Sequence, residues 1–300
     1  GRRQNMRIKK TSGEKVFTAF NILFMIIMII MTLYPMLYVL FASVSDSDAI
    51  MRYTGPLLKP IGFTLAAYKR VFQYPMVLRS LVNSIIIVLM GTSINIFMTS
   101  LGAYVLSRKH FYIKNAMMVL IVITMYFSGG LVPQYLNVKE LGMLDTYWAI
   151  IIPGAISTWN LIIMRTSFLS IPDSLEESAK LDGAKHIDIL FKIVIPLAMP
   201  TIAVMILFYG VGHWNSWFSA MIYLKTRDKF PMQLILREIL ILNDTSSGGM
   251  QGNSTIDDVQ KIGETIKYAL IIVATVPILV VYPFLQKYFV NGVMIGALKE

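Results

Sequence analysis

The chain of 300 residues is 56% hydrophobic and 15% charged, with a mean hydropathy of +0.63, whereas a soluble domain carries about a quarter charged residues. This composition excludes an ordinary soluble domain. The net charge of +10 comes without a basic and aromatic stripe, so it indicates membrane orientation rather than nucleic-acid binding, and the absence of cysteine excludes a disulfide framework or a thiolate site.

Six charge-free runs divide the chain, and each comes close to the length of about 20 residues that a helix needs to cross the hydrocarbon core. In lipid, backbone groups find partners only inside helices or closed barrels, and runs this continuous are unlike the alternating strands of a barrel. The sequence therefore predicts an all-α integral membrane protein with six transmembrane helices. The runs cover residues 16–45, 80–107, 115–138, 146–164, 193–224 and 268–286.

The segment before the first run is basic, with six Arg and Lys residues against a single Glu14. Cytoplasmic flanks of spans carry an excess of Arg and Lys, so residues 1–15 are predicted to be a cytoplasmic tail. The first run is too long for a signal-peptide core and lacks a small-residue cleavage site, which favours a span. The six spans form one permease domain over residues 16–287. Because an even number of spans returns the chain to the same side, the tail 288–300 is also predicted to be cytoplasmic, and residues 108–114 and 171–196 are predicted to be inner loops.

The segment after the first span contains an amphipathic stretch over residues 64–72, with apolar side chains at Leu65, Tyr68 and Phe72. This pattern predicts a short helix lying at the membrane interface. The Gly- and Ser-rich stretch 243–255 in the last outer loop is expected to be flexible. Gly129, Gly130 and Pro133 predict a break in the third span. The fourth span contains Pro153 and is predicted to end at Arg165. The fifth span is predicted to begin at Pro200, because proline suits the first helical turn.

Residues 171–196 form a polar interruption between the fourth and fifth spans. Ser174 and Glu177 have the spacing of a capping box, and the Asp182-Gly183 pair supplies a helix stop. These signals predict a short helix over residues 175–181.

A second helix is predicted to follow and to end at Pro196, because the residue before a proline avoids helical geometry. Its apolar residues recur at helical spacing, so one face is expected to be buried. On this pattern alone, an amphipathic loop resting on the bilayer surface and a docking element for another protein are equally good interpretations. The predicted apolar face consists of Ile187, Leu190, Phe191 and Val194.

The same segment resembles the signature of the membrane subunits of binding-protein-dependent ABC importers. That signature is Glu-Ala-Ala, three residues, Gly, nine residues, and Ile-x-Leu-Pro, and every spacing is kept here. Ser178 replaces the first alanine and Ile195 replaces the leucine, and both changes are conservative. The matching residues are Glu177-Ser178-Ala179, Gly183 and Ile193-Val194-Ile195-Pro196.

Further matches cover nearly the whole chain and are similar to the carbohydrate-uptake branch of these importers, the smaller-subunit type typified by the maltose permease pair. The resemblance implies the type I ABC importer permease fold, with six spans and a cytoplasmic two-helix coupling element over residues 172–196. It also implies a multi-pass protein of the bacterial cytoplasmic membrane with both termini inside. The further matches are Leu106-Ser-Arg108, Leu181-Asp-Gly-Ala184, Trp214-Asn215 and Gly292-x-x-x-Gly296-Ala297.

In that family, the two short helices dock in a groove of a cytoplasmic ATPase, whose closure on ATP moves the spans between inward- and outward-facing states. Leu175, Ala179, Leu190 and Phe191 are expected to supply the apolar part of this contact. The residues that the resemblance assigns to coupling are Glu177, Ser178, Ala179, Asp182, Gly183, Ile193, Ile195 and Pro196.

The sequence contains no Gly-x-x-x-x-Gly-Lys-Ser/Thr loop, so this chain is not expected to bind nucleotide phosphates by that motif or to be an enzyme on its own. No cofactor is expected on this chain; ATP and Mg belong to the partner ATPase. The implied partners are a second, homologous permease subunit, two copies of a cytoplasmic ABC ATPase, an extracytoplasmic solute-binding protein, the carbohydrate substrate and the lipid bilayer, with no nucleic acid.

The spans contain few ionisable groups, and His213 is the main exception, which argues against a proton- or sodium-coupled carrier. The three histidines have no metal-binding spacing, and His213 is expected to be a packing residue. Aromatic faces and amides suit sugar rings, although each such residue can equally hold helices together. The residues predicted to line the substrate path are Trp214 and Asn215, followed by Trp159 and Asn160.

Three alternatives remain open at this stage. An amino-acid or peptide permease of the same importer class is the closest one. A channel or secondary carrier that works without ATP would explain the spans but not the spaced signature, and an intramembrane enzyme would need catalytic motifs that the sequence lacks. Arg227 and Lys229 in the last outer loop favour either an acidic oligosaccharide as substrate or the ordinary alternative, solvated loop charge.

Overall fold

The computed structural model describes residues 11–109, 111–246, 266–284 and 286. The basic residues up to Lys10, residues 247–255 of the Gly- and Ser-rich stretch and the tail 288–300, with its Gly292 and Gly296, lie outside the described residues. Two compact units are present: one holds the described residues up to Val71 together with 266–272, and the other begins at Phe72 and includes 273–284.

In the first unit, helix α1 (Ser12–Ser43) begins at a capping box. The Thr11 amide donates to Glu14 Oε2 (2.8 Å), and the Glu14 amide donates to Thr11 Oγ1 (3.3 Å). Two short helices follow, α2 (Ser47–Arg52) and α3 (Ala66–Gln73), and α3 confirms the predicted interfacial segment as a helix.

The buried face of α3 differs from the one that the apolar pattern predicts. Ala67 and Val71 are buried, whereas Leu65 and Phe72 are exposed. The Tyr68 hydroxyl lies 2.8 Å from Ser43 Oγ at the end of α1. Phe72 and the preceding Leu65 are therefore left on the surface, while the smaller Ala67 and Val71 pack inward.

The second unit contains helices α4 (Pro75–Ser107), α5 (Lys114–Tyr126), α6 (Leu131–Glu140), α7 (Trp148–Ile151) and α8 (Thr158–Leu169). The inner segment follows with α9 (Asp173–Leu181), α10 (His186–Ile189), a π-turn (Leu190–Val194) and α11 (Ile195–Leu197). The remaining helices are α12 (Met199–Trp214), α13 (Phe218–Tyr223), α14 (Met232–Ser246) and α15 (Ile266–Phe284), the last of which begins in the first unit.

By length and composition, the described helices supply up to six candidate spans if each bent helix pair counts as one span, which agrees with the six charge-free runs. Three helices, α1, α4 and α15, are long and apolar enough to cross a membrane unbroken. The other three spans are bent pairs: α5 with α6 at 112°, α7 with α8 at 52°, and α10–α11 with α12 at 87°. Gly130, with φ of +86°, lies at the first bend, so the predicted break in the third span is confirmed.

Two predicted helix ends are wrong. The fourth span continues past Arg165 to Leu169. Pro196 does not end its helix: it lies in the first turn of α11, which follows the π-turn directly, and the chain bends instead at Ala198. Pro200 does lie in the first turn of α12, as predicted.

The core of the second unit forms where α4 packs along α8 and α12. The buried face of α4 is largely small and polar, as is common where membrane helices approach closely. One apolar cluster joins these three helices to the second helix of the inner segment; its buried members include Tyr104, Leu161, Met164, Phe168, Leu190, Val194, Ile202 and Met205. The buried polar residues of α4 are Ser80, Asn83, Ser84, Thr92, Asn95, Thr99, Ser100 and Ser107.

Candidate coupling loop and transport path

The first helix of the inner segment, α9, begins two residues earlier than the sequence predicts. Its N-cap is Pro172, and no side chain caps it, so the capping box predicted at Ser174 and Glu177 is wrong. Ser174 lies within the first helical turn. Asp173 and Glu176 place acidic groups in that turn, where they interact favourably with the helix dipole.

The end of α9 confirms the predicted stop at Gly183. The Gly183 amide donates to the Lys180 carbonyl (3.0 Å) and the Ala184 amide donates to the Ala179 carbonyl (2.9 Å), which is a Schellman motif. Gly183 has φ of +84°, a conformation that side chains with a Cβ adopt only at a cost of about 1 kcal/mol. A Cβ at this position would meet nothing within 4 Å.

The second helix buries a different face from the predicted one. Leu190 and Val194 are buried as expected, and Ile189 is buried with them, but Ile187 and Phe191 are exposed. The cause is the π-turn Leu190–Val194, which has more residues per turn than an α-helix. Residues spaced at 3.6 per turn therefore no longer lie on the same face of this segment.

Of the residues assigned to coupling, five are exposed and three are half-buried. Ala179, Ile193 and Ile195 pack against the apolar cluster of the spans, and Leu190, expected in the ATPase contact, is buried in that cluster. Leu181 is 89% exposed and Leu175 is exposed as well, so both offer apolar surface beside the motif. The exposed coupling residues are Glu177, Ser178, Asp182, Gly183 and Pro196.

Glu176, directly before the motif, is the residue that ties α9 to the spans. Its carboxylate forms an ion pair with Arg108 at the end of α4, and both side chains are only 12–13% exposed. Lys180 also donates to it (2.9 Å). Burial alone would raise the pKa of Glu176, but hydrogen bonds from Lys180 and Arg108 outweigh burial and hold the pKa below its ordinary value. The carboxylate is therefore ionised at neutral pH.

A second polar cluster lies where the fourth span is unwound between α7 and α8. Asn95 of α4 is fully buried, and its Nδ2 donates to the carbonyls of Gly154 (2.7 Å) and Ala155 (2.9 Å). His213 Nε2 donates to Asn95 Oδ1 (2.6 Å). The cluster satisfies carbonyls that a broken span leaves without helical partners, and His213 has the packing role that was predicted for it.

The four residues predicted to line the substrate path lie at two places. Trp159 and Asn160 are in the first turn of α8; Trp159 is 60% exposed and Asn160 is buried. Trp214 ends α12 and is buried, with its indole Nε1 donating to the Ala274 carbonyl (3.0 Å), while Asn215 after it is exposed. Their contact with substrate stays a prediction, and for Trp214 the structure shows a packing role.

The cations of the last outer loop that were predicted to attract an acidic substrate already have acidic partners. Lys229 Nζ lies 2.8 Å from Asp145 Oδ2, and Arg227 pairs with Glu238 at 3.1 Å. Hydrogen bonds from Lys229 and Thr226 hold the pKa of Asp145 well below its usual range. Lys229 and Asp145 therefore fasten the loop between α6 and α7 to the segment after α13.

Arg237 of α14, unlike Arg227 and Lys229, contacts an aromatic ring rather than a carboxylate. Its guanidinium stacks over the Trp217 ring, 4.2 Å from the centroid, and Nη1 lies 3.2 Å from the sulfur of Met221. Within the described residues, no carboxylate pairs with it. The Arg237 guanidinium therefore lies against an indole face in a cation–π contact.

The broken and unbroken spans, together with the inner segment, define a multi-pass membrane subunit of a transport system. The chain belongs to the family described as "Binding-protein-dependent transport system inner membrane component", which matches residues 59–295. The resemblance found in the signature segment is thereby confirmed at the level of the family.

Two relatives from Bacillus subtilis (strain 168) match almost the whole chain. Protein LplC is 43% identical over 290 residues, covering 96% of this chain and 97% of the relative. The polygalacturonan/rhamnogalacturonan transport system permease protein YtcP is 42% identical over 283 residues, covering 92% of this chain and 96% of the relative.

Among solved structures, the chain is similar to one from a bacterial ABC transporter involved in the import of the acidic polysaccharide alginate. The TM-score is 0.86 at 31% identity, and the match covers 94% of this chain and 99% of that chain. The protein is therefore an ABC importer permease of the carbohydrate-uptake type, with the type I importer permease fold that the sequence predicts.

Proposed function

We propose that this chain forms half of the transmembrane path of an ATP-driven importer for an acidic oligosaccharide, and that residues 171–196 couple it to a separate ATPase. A second permease supplies the other half of the path, two ATPase copies bind ATP and Mg, and a solute-binding protein delivers the substrate from outside. Both termini and the inner segment are cytoplasmic in this arrangement. The observation that carries the proposal is an exposed, well-terminated helix with the family signature, fastened to the spans by a buried ion pair.

The exposed surface of α9 supports the interpretation that this helix docks to a protein rather than lying on the bilayer surface. An interfacial helix separates an apolar face from a charged one. Here the exposed Leu181 lies among exposed polar groups such as Glu177 and Asp182, while the inward side of the helix is occupied by Glu176 and Ala179. The exposed surface of α9 therefore lacks the separate apolar face that rest on the bilayer requires, which supports docking to a protein.

The acidic character of the substrate is supported by two relatives. YtcP is named for polygalacturonan and rhamnogalacturonan, and the structure at 31% identity is named for import of alginate, an acidic polysaccharide. Both names concern polymers that contain uronic acids, whose carboxylates and ring faces suit an arginine beside an aromatic ring. Arg237 over Trp217 is such a pair.

Replacement of Arg237 by glutamine is expected to raise the uronide concentration needed for half-maximal uptake by about 10- to 100-fold, because a charge-assisted hydrogen bond contributes about 1.5–3 kcal/mol. The measurement is uptake of an oligogalacturonide by vesicles that contain the complete importer. Arg227→Gln is the matched control: it removes a cation from the same loop, but one in an exposed pair with Glu238, which contributes little. If the two changes raised the half-maximal uptake concentration equally, Arg237 would not be a substrate contact.

The proposed function itself is tested by purification and reconstitution. The tagged chain should bring down a companion permease and an ATPase, and vesicles containing this complex should hydrolyse ATP faster when the solute-binding protein carries an oligogalacturonide. Stimulation by a peptide would favour the peptide-permease alternative. Isolation of the chain alone, with solute flux that needs no ATP, would favour a channel or carrier and contradict the proposal.

A further inference from the structure

Arg108 connects three helices through one guanidinium group. It follows the last residue of α4, and its Nη1 forms the ion pair with Glu176 of α9. Its Nη2 donates to Ser107 Oγ (2.9 Å) and to the Phe168 carbonyl near the end of α8 (3.3 Å). The ends of two spans and the first helix of the inner segment therefore share one cation.

Glu176 extends this connection to the second half of the inner segment. Its Oε1 lies 2.9 Å from Lys180 Nζ, 3.5 Å from the Tyr104 hydroxyl and 4.0 Å from His186 Nδ1. The Tyr104 hydroxyl and His186 Nδ1 are 3.2 Å apart, and the Arg108 guanidinium lies over the Tyr104 ring, 4.7 Å from its centroid. Groups from α4, α9 and the start of α10 thus surround one carboxylate.

A second described ionic link between α9 and the end of α4 is far more exposed. Lys109 pairs with Asp173, but their side chains are 74% and 44% exposed. Exposed ion pairs contribute little to stability, whereas a buried pair cannot be broken without leaving an uncompensated charge. Among the described contacts, the Glu176–Arg108 pair is therefore a stronger ionic connection of α9 to the spans than the Lys109–Asp173 pair.

We infer that Glu176 is a positioning residue that makes α9 a rigid extension of α4 and α8, so that any displacement of α9 moves both spans together. This inference rests on the proposed function. Neighbouring residues have different roles: Glu177, Leu181 and Gly183 face outward to the ATPase, while Glu176 faces inward and transmits the displacement of α9 to α4 and α8. Packed interfaces convert small displacements into rigid-body movement only when the moving part is stiff.

The test compares Glu176→Gln, Arg108→Gln and the double variant in vesicles that contain the complete importer. Each single change is expected to leave the ATPase in the complex and basal ATP hydrolysis in place, because the outward face of α9 is unchanged. The ATP hydrolysed per solute imported should rise about tenfold. The double variant removes both charges of the Glu176–Arg108 pair, and its ATP-to-solute ratio should be no higher than that of the more impaired single variant, because the two residues act as one unit.

Asp188→Asn is the matched control, since it removes an exposed ion pair with Lys192 from the same segment and should leave the ratio unchanged. Wild-type coupling retained in full by Glu176→Gln would overturn the inference while leaving the proposed function intact. Loss of the ATPase from the complex in the single and double variants alike would also overturn it, because Glu176 would then only present the docking face. A wild-type complex without solute-stimulated hydrolysis would instead contradict the proposed function.

Discussion

Replacement of Asn95 by leucine, a side chain of similar size, is expected to destabilise the protein by about 3 kcal/mol. The side chain is fully buried and makes three hydrogen bonds: to the carbonyls of Gly154 and Ala155 and to His213. Leucine leaves all three groups without a partner, at a cost of about 1 kcal/mol or more for each. The carbonyls are affected most, because they lie at a break where the helix offers no substitute donor.

The change is measured as the thermal unfolding temperature of the purified protein in detergent, which should fall by about 6 °C. Asn137→Leu is the matched control, because Asn137 is exposed on α6 and should tolerate the same replacement. A fall no larger in Asn95→Leu than in the control would show that the unwound part of the fourth span does not depend on Asn95.

Gly183→Asp is expected to abolish uptake while the protein remains folded in the membrane. The left-handed backbone at φ +84° tolerates Asp and Asn better than most residues, and a Cβ there meets nothing within 4 Å, so the chain itself can accept the change. The open space beside Gly183 is where the proposed ATPase contact lies. A new carboxylate next to the exposed Asp182 would place two like charges in that contact.

The readouts are uptake, co-purification of the ATPase and solute-stimulated ATP hydrolysis, each of which should fall about tenfold or more. Gly183→Asn is the matched control: it has the same shape and backbone tolerance without the charge, and it should retain clearly more activity than the aspartate variant. If Gly183→Asp retained full solute-stimulated hydrolysis, the coupling role of this turn would be wrong.

The spans were predictable because their cause is local. A charge-free run such as 80–107 has to become a helix in lipid. Helix α4 contains the whole of this run and begins a few residues before it. Gly130 and Gly183 marked a bend and a helix stop correctly, since both need a left-handed backbone that glycine supplies at little cost.

The anchoring role of Glu176 could not be derived from local pattern. The capping-box spacing drew attention to Ser174 and Glu177, whereas the partner of Glu176 is Arg108, 68 residues earlier in the chain. In the structure Glu176 lies one helical turn before Ala179, which packs against the apolar cluster, so the two residues share the inward side of α9.

Tertiary contacts explain the other differences. Phe191 and Ile187 are exposed because a π-turn follows α10, and the spacing of apolar residues at 3.6 per turn does not reveal a π-turn. Trp214 was selected for its chemistry, but its indole donates to the Ala274 carbonyl of α15, a partner 60 residues away. Polar and aromatic residues in spans serve packing and substrate equally well, so composition alone cannot separate the two roles.

The most direct test of the coupling account is site-specific cross-linking, which is simple here because the chain has no cysteine of its own. Leu181→Cys places a thiol at a position that is 89% exposed, and Leu141→Cys, at 70% exposure in the loop predicted to lie outside, is the control. The account predicts that a short thiol cross-linker joins residue 181, and not residue 141, to the ATPase of the assembled importer. Labelling of residue 181 from the outside of intact cells, or no cross-link to the ATPase in an active complex, would contradict it.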